Sequence, residues 1–204
     1  LGPDFAAGLG IPTSQVGNIG AAYTAAGCVA GVAGSYFLDR FDRRKALAVA
    51  MLGLVVATAA GGFATGLTSL LVARAMAGLF GGPATSLAMS IIADLIPPER
   101  RGRAMGAVMG AFSVASVLGI PMALKVAHWA DWRMPFFAVA GLGLLVVAAS
   151  IFFLPPMRGH LERQQGPTVS VRDLFTRPDV LQSYSLTALL NVAGFVIIPN
   201  ISGY

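Results

Sequence analysis

An all-α bundle of membrane-spanning helices is the fold class that three features of the sequence predict. The 204 residues are 56% hydrophobic and only 11% charged, and the mean hydropathy is +0.75, far from the balance of a water-soluble domain. Apolar runs of about 20 residues, the length that crosses a bilayer, recur along the chain. Short clusters of charged residues separate them. The polypeptide is therefore expected to cross a membrane several times.

Six apolar runs are predicted to be transmembrane helices. Five of them contain no charged residue, whereas the third contains Arg74 and ends next to Asp94. A polar stretch, 156–179, separates the fifth run from the sixth and is the clearest domain boundary. The chain does not begin with methionine and ends inside an apolar run, so it is expected to be part of a longer protein. In chain order the runs are 14–38, 46–67, 69–95, 104–124, 134–154 and 182–204.

The distribution of basic residues predicts the orientation of the chain. Eleven of the fourteen lysines and arginines fall in three loops on one face, 39–45, 97–103 and 156–179. The positive-inside rule makes these loops cytoplasmic, and the expected location is the inner membrane. The net charge of +5 is then a topology signal that suits anionic lipid headgroups. The basic residues do not form the aromatic-interleaved patch that nucleic-acid binding needs, so no nucleic-acid partner is predicted.

Glycines at spacings of four residues predict close contacts between helices, because the missing side chain lets two backbones approach. The histidines, His128 and His160, lie outside the spans without other ligand types nearby, so no metal site is predicted. No nucleophile motif, phosphate loop or catalytic carboxylate pair is present, so no enzyme is predicted. The glycine series are Gly27-x3-Gly31, Gly78-x3-Gly82 and Gly102-x3-Gly106-x3-Gly110.

The turn after the first span concentrates charge between two uncharged runs. It reads Ser-Tyr-Phe-Leu-Asp-Arg-Phe-Asp-Arg-Arg from Ser35 to Arg44. This text resembles the Gly-x-x-x-Asp-Arg-x-Gly-Arg-Arg loop between the second and third helices of the major facilitator superfamily, with Ser35 and Asp42 at its two glycine positions. In that family such charges latch the two halves of a transporter together on the cytoplasmic side. The resemblance therefore implies a latch formed by Asp39, Arg40, Arg43, Arg44 and Asp94, and simple solvated loop charges are the alternative.

The third span carries a second motif, Arg-Ala-Met-Ala-Gly from Arg74 to Gly78. An arginine within a span costs up to about 2.5–3.5 kcal/mol at the centre and needs a partner or a wet cavity. The motif resembles the fourth-helix Arg-x-x-x-Gly pattern of the drug:proton antiporters in the same superfamily, in which the arginine takes part in proton coupling. Snorkelling of Arg74 to the outer headgroups is the alternative.

The fourth span ends in Val117-Leu118-Gly119-Ile120-Pro121, and Asp131-Trp132-Arg133 follows the span. This sequence is similar to that of the fifth helix in the arabinose-efflux-permease-like branch of these antiporters. Pro121 removes a backbone hydrogen bond, so Gly119 and Pro121 are expected to form a hinge. A plain proline kink at the end of a span is the alternative.

The resemblance covers nearly the whole chain and implies a partial major-facilitator fold. It assigns 1–155 to an N-terminal half with the end of helix one and helices two to six. The cytoplasmic central loop is 156–179, and 180–204 begins helix seven of a C-terminal half that completes the protein. Because the family's cavity is lined by helices one, four, seven and ten, the cavity candidates are Gly78, Thr85, Met89, Asn191 and Phe195.

The function that follows is secondary active transport, with proton-coupled efflux of small organic or drug-like solutes by alternating access. No cofactor is expected beyond a proton gradient. The partners would be a small-molecule substrate, the lipid bilayer and the rest of the same protein. A non-transporting membrane sensor, or an uptake facilitator on the same scaffold, is the alternative.

Overall fold

The computed structural model describes residues 12, 15–38, 41–154, 178, 181–183, 185–186 and 189 of the chain. The chain divides into two compact units, Leu1–Leu161 and Glu162–Tyr204. The described residues of the second unit are helical, and most of the predicted sixth span lies outside the described residues. The described part of the first unit contains α1 (Val16–Phe37), α2 (Arg43–Gly62), α3 (Leu67–Leu95), α4 (Pro98–Val114), a π-helical turn (Ala115–Gly119), α5 (Ile120–Trp129) and α6 (Met134–Phe153).

These helices make the chain a multi-pass membrane protein, as the sequence predicts. Four continuous helical stretches are long and apolar enough to cross a bilayer, namely Arg43–Gly62, Leu67–Leu95, Pro98–Trp129 and Met134–Phe153. α1 adds 22 residues without a charge. The helices alternate in direction, so α2 begins, and α1, α3 and α6 end, at one end of the bundle. We call this the basic end, and the end that carries the turns 63–66 and 130–133 the aromatic end.

Two helices begin earlier than their apolar runs predict. α2 begins at Arg43, where Asp42 serves as N-cap and its carboxylate accepts a hydrogen bond from the backbone N–H of Arg44. α4 begins at Pro98 rather than at 104, so most of the predicted loop 97–103 is helical. A proline at the first helical position lacks only an N–H that has no helical partner anyway, and Glu99 lies in the first turn, where a negative charge is favourable.

α3 is the central helix, and it crosses α1 through glycines. A Cβ atom on Gly78 would collide with the backbone carbonyl of Tyr23, and one on Gly82 with that of Gly27. The predicted close packing is therefore confirmed for Gly27, Gly78 and Gly82. In contrast, no described atom lies within 4 Å of a Cβ added to the glycines of α4, so their predicted packing is not seen among the described residues. Those glycines are Gly102, Gly106 and Gly110.

Three clusters of buried side chains hold the bundle together at successive levels. At the basic end, α2 packs on α3 around Leu47 and Leu87. In the middle, Val55 of α2 contacts α6. At the aromatic end, the cluster joins three helices and both turns and contains Ile19, Ala64, Leu70, Trp132 and Phe136. Leu70 has no exposed surface at all, so this last cluster holds the half of α3 nearest the aromatic end.

The stretch from α4 to α5 is a single helix interrupted by the π turn. Pro121 lies at the second position of α5, directly after this turn, and Gly119 is its last residue. A proline cannot donate the hydrogen bond that would continue an α-helix, and a π turn is a common accommodation of such an irregularity. The irregularity is therefore at the predicted place, and the hinge role of Gly119 and Pro121 stays a prediction.

Candidate functional site

At the basic end, Arg43 joins the beginning of α2 to the end of α3. Its guanidinium forms an ion pair with the carboxylate of Asp94 and also donates to the carbonyl of Ser90 at 3.2 Å. The Arg43 side chain is 12% exposed, whereas that of Asp94 is 43% exposed. A carboxylate in the last turn of a helix faces the negative end of the helix dipole. The arginine offsets that repulsion and ties two helices together.

Arg44 makes the corresponding contact to a third helix. Its guanidinium donates to the backbone carbonyl of Ile151, which belongs to the last turn of α6. Carbonyls in the last turn have no partner within their own helix, and a cation there is favourable. Two consecutive arginines thus bind the ends of α3 and α6 to the start of α2.

Of the five residues predicted to form the latch, the structure brings Arg43 and Asp94 together and directs Arg44 to a backbone carbonyl. Asp39 and Arg40 lie outside the described residues. The latch itself stays a prediction. Sequence reasoning missed the helix-capping role of Asp42, although an aspartate directly before a helical run is a common N-cap signal.

The deep charge of the bundle is Arg74, which lies seven residues after the start of α3 at Leu67, or about 10 Å along the helix axis. Its guanidinium carbon lies over the ring of Phe136 at 5.2 Å from the ring centroid. The Nε atom is inaccessible to solvent and has no hydrogen-bond partner among the described residues. On α1, Tyr23 lies close enough to interact with Arg74 electrostatically.

The side chain of Arg74 extends towards the aromatic end, because Phe136 is the third residue of α6. This is the direction that snorkelling would take, but the guanidinium meets an aromatic ring on the way. The ion pairs found among the described residues are Arg43 with Asp94 and Arg133 with Asp131. No carboxylate in the described part of the chain forms an ion pair with Arg74.

The family follows from comparison with known proteins. The model of the Major Facilitator Superfamily matches residues 1–203. The chain belongs to this family.

Several curated relatives within the major facilitator superfamily show the range of names that accompany this sequence. The chain is 29% identical to a chloramphenicol resistance protein of Streptomyces lividans over 197 residues, which is 96% of the chain and 50% of the relative. It is 29% identical to a D-galactonate transporter of Escherichia coli O6:H1 over 67% of the chain and 32% of that protein. The purine ribonucleoside efflux pump NepI of Escherichia coli O157:H7 is also 29% identical, over 69% of the chain and 35% of the pump. The chain thus spans half or less of the length of these relatives.

The residues predicted to line the major-facilitator cavity fall into three groups. Gly78 is buried against the backbone of α1, so in this structure it contacts a helix rather than open space. Thr85 is exposed and donates a hydrogen bond to the carbonyl of Gly81, while Met89 is half-buried two turns before the end of α3. Asn191 and Phe195 lie outside the described residues.

Proposed function

We propose that the chain supplies the N-terminal half of a secondary active transporter that exports small organic solutes in exchange for protons. Membership of the major facilitator superfamily supports transport, and two of the relatives above bear names that refer to resistance or efflux. The name of the D-galactonate transporter states no direction, which keeps uptake as the competing outcome. The basic end would face the cytoplasm, and a C-terminal half would close the substrate cavity.

The observation that carries the proton-coupling part of the proposal is the placement of Arg74. A guanidinium inside a span is energetically costly, which makes a functional role the default hypothesis for it, and this one contacts a ring rather than a carboxylate among the described residues. A permanently charged group next to the transport path favours the deprotonated form of a carboxylate that approaches it. Alternating access would bring such a carboxylate close in one state and remove it in the other, which couples proton release to the conformational change.

The second proposed element is the latch at the basic end. The contacts of Arg43 with Asp94 and of Arg44 with Ile151 tie three helices of one half into a rigid platform. Such a platform would present Asp39 to the other half. Rocking of two rigid halves about a central site is how transporters with internal repeats alternate their access.

The test uses the full-length protein that contains this chain, reconstituted into liposomes with an imposed pH gradient. Chloramphenicol and a purine ribonucleoside, taken from the names of the relatives, are the first probes. The gradient should accelerate flux of at least one probe, and Arg74→Gln should reduce that acceleration about tenfold or more, which corresponds to about 1.4 kcal/mol. Arg101→Gln is the matched control, because the contact of Arg101 within the described part of the chain is a hydrogen bond from its Nε to the carbonyl of Ile96, the C-cap residue of α3.

Two results would contradict the proposal. Flux that is unaffected by the gradient would favour a facilitator. Wild-type coupling in Arg74→Gln would show that the deep arginine is a snorkelling residue without a part in transport.

A further inference from the structure

The ring of Phe136 lies between two other side chains. One is Arg74, whose guanidinium carbon is 5.2 Å from the ring centroid. The other is Trp132, whose ring packs edge-to-face against Phe136 with 6.3 Å between centroids and 86° between planes. Both aromatic residues are buried, with 6% and 8% of their surfaces exposed. Phe136 thus transmits the position of the 130–133 turn to a charged side chain on α3.

Trp132 is itself held on its far side. The guanidinium carbon of Arg133 lies over the indole at 4.5 Å. Arg133 also donates to the carbonyl of Ala64 at 3.3 Å and pairs with Asp131 at 3.4 Å. The turn between α5 and α6 is thereby fastened to the turn between α2 and α3. We call the series Arg133, Trp132, Phe136 and Arg74 the aromatic ladder.

The Phe136 ring also packs closely against a glycine of α2. A Cβ atom on Gly61 would lie only 2.9 Å from two carbons of this ring, which is closer than real Cβ contacts. Leu70, one turn before Arg74 on α3, belongs to the same buried cluster. Glycine at position 61 therefore lets the ring approach α2 closely, and the ring is enclosed where it meets the guanidinium.

A ring is a suitable support for a cation at this depth. The face of an aromatic ring attracts a guanidinium electrostatically, and the attraction is stronger when both groups are desolvated. Unlike a carboxylate, a ring neither neutralises the charge nor accepts the strong hydrogen bonds of the N–H groups. The Phe136 contact can therefore fix where the guanidinium lies and still leave its charge available to a second group.

We propose that Phe136 is a positioning residue for Arg74, and that the aromatic ladder sets the place of the deep positive charge from the aromatic end of the bundle. The effect of this positioning on transport rests on the proposed function. The contact between Phe136 and Arg74 does not depend on that function, so stability measurements test the contact separately.

Phe137 provides a matched control for Phe136. It is the next residue of α6, it also rests on a glycine of α2, since a Cβ on Gly62 would lie 2.7 Å from its ring, and it also has an edge-to-face partner, Phe63, at 5.0 Å. Phe136→Leu and Phe137→Leu therefore each remove a ring that packs on a glycine of α2, although Phe136 is buried and Phe137 is half-buried. The part of their difference that disappears in the Arg74→Gln background reports the contact with Arg74.

The experiment measures gradient-driven flux of chloramphenicol and a purine ribonucleoside by the reconstituted full-length protein. Phe136→Leu should lower the flux about tenfold, Phe136→Tyr should keep it within about threefold of wild type because the ring remains, and Phe137→Leu should also keep it. In the Arg74→Gln background, Phe136→Leu should cause no further loss. Equal losses in both leucine variants, or a further loss in the double variant, would overturn the proposal.

A thermal-unfolding cycle on the same proteins separates this proposal from the proposed function. The falls in Tm caused by Arg74→Gln and Phe136→Leu should add to more than the fall in the double variant, whereas those of Arg74→Gln and Phe137→Leu should be additive. If the wild type shows no gradient-driven flux, the proposed function fails and this cycle still decides the contact. Additive shifts for Arg74 and Phe136 would overturn it.

Discussion

The two ends of the bundle hold their arginines in different ways. At the basic end, Arg43 and Arg44 bind oxygen atoms, namely the carboxylate of Asp94 and the carbonyl of Ile151. At the aromatic end, Arg74 lies over the ring of Phe136, while Arg133 lies over the ring of Trp132 and also binds the carbonyl of Ala64 and the carboxylate of Asp131. The contrast therefore lies between Arg43 and Arg44, which bind oxygen atoms, and Arg74, which contacts a ring.

The difference follows from the surroundings of each charge. Near the end of a helix, carbonyls without a helical partner and the negative dipole attract a cation. Deep in a span, each backbone carbonyl is already bonded within its helix, so an aromatic face is a remaining source of negative potential. The contrast distinguishes arginines that bind oxygen atoms from Arg74, to whose charge we assign a part in transport only as a proposal.

The largest expected effect comes from Gly78→Ala, which attacks the crossing of α1 and α3 that lies between the two ends. The added methyl group would collide with the carbonyl of Tyr23, and collisions with backbone cannot be relieved by a rotamer change. The loss of stability should be about 3 kcal/mol, measured as a lower Tm of the full-length protein. Gly20→Ala on α1 is the control, because nothing described lies within 4 Å of its Cβ position. Equal Tm values for the two variants would show that the helices do not cross as closely as described.

Arg43→Gln should have the next largest effect, at the basic end alone. It removes the ion pair of a largely buried guanidinium and leaves Asp94 in the last turn of α3, at a cost of about 2 kcal/mol. Arg44→Gln should cost less, about 1 kcal/mol, because it removes hydrogen bonding to a carbonyl that water can reach. Thermal unfolding measures both losses, and Asp94→Asn in the Arg43→Gln background should restore part of the first. A larger loss of stability in Arg44→Gln than in Arg43→Gln would contradict the ion pair with Asp94 as the stronger of the two contacts.

The smallest effect is expected at the aromatic end, where two glycines of α2 contact rings of α6. Gly61→Ala and Gly62→Ala should each cost about 1 kcal/mol, because each new methyl group displaces a ring of α6. The Tm values should therefore fall together. Gradient-driven flux should fall only in Gly61→Ala, whose displaced ring contacts Arg74. Equal fluxes in the two variants would show that the contact between Gly61 and the Phe136 ring does not affect the role of Arg74 in transport.

The sequence was sufficient for the five spans that the structure describes, although α2 and α4 begin earlier than predicted, and for the position of Arg74 within one of them. Span length, hydropathy and loop charges depend on the bilayer as solvent, which acts on each helix separately. The glycine contacts were only partly predictable, because spacing identifies a possible crossing but not the partner helix. Gly78 and Gly82 meet α1 closely, whereas equally spaced glycines of α4 meet no described atom within 4 Å.

The partners of the arginines were less predictable. The ion pair of Arg43 with Asp94 joins residues that are 51 positions apart, and the ring under Arg74 comes from a helix 62 positions further on. Such pairs arise from tertiary packing, which has no local signal. The π turn before Pro121 was also not predictable. The proline indicates that a helical hydrogen bond is missing, but it does not indicate which backbone geometry the helix adopts in response.

The contrast between oxygen-held and ring-held arginines is tested most directly by the salt dependence of two coupling energies in the full-length protein. One thermal-unfolding cycle combines Arg43→Gln with Asp94→Asn, and the other combines Arg74→Gln with Phe136→Leu. Raising the salt from about 0.1 M to about 1 M shortens the screening length from about 10 Å to about 3 Å for charges that water reaches. The coupling of Arg43 with Asp94 should fall by about half or more, while that of Arg74 with Phe136 should stay the same. A ring coupling that falls in parallel with the ion-pair coupling would contradict a desolvated guanidinium at Arg74.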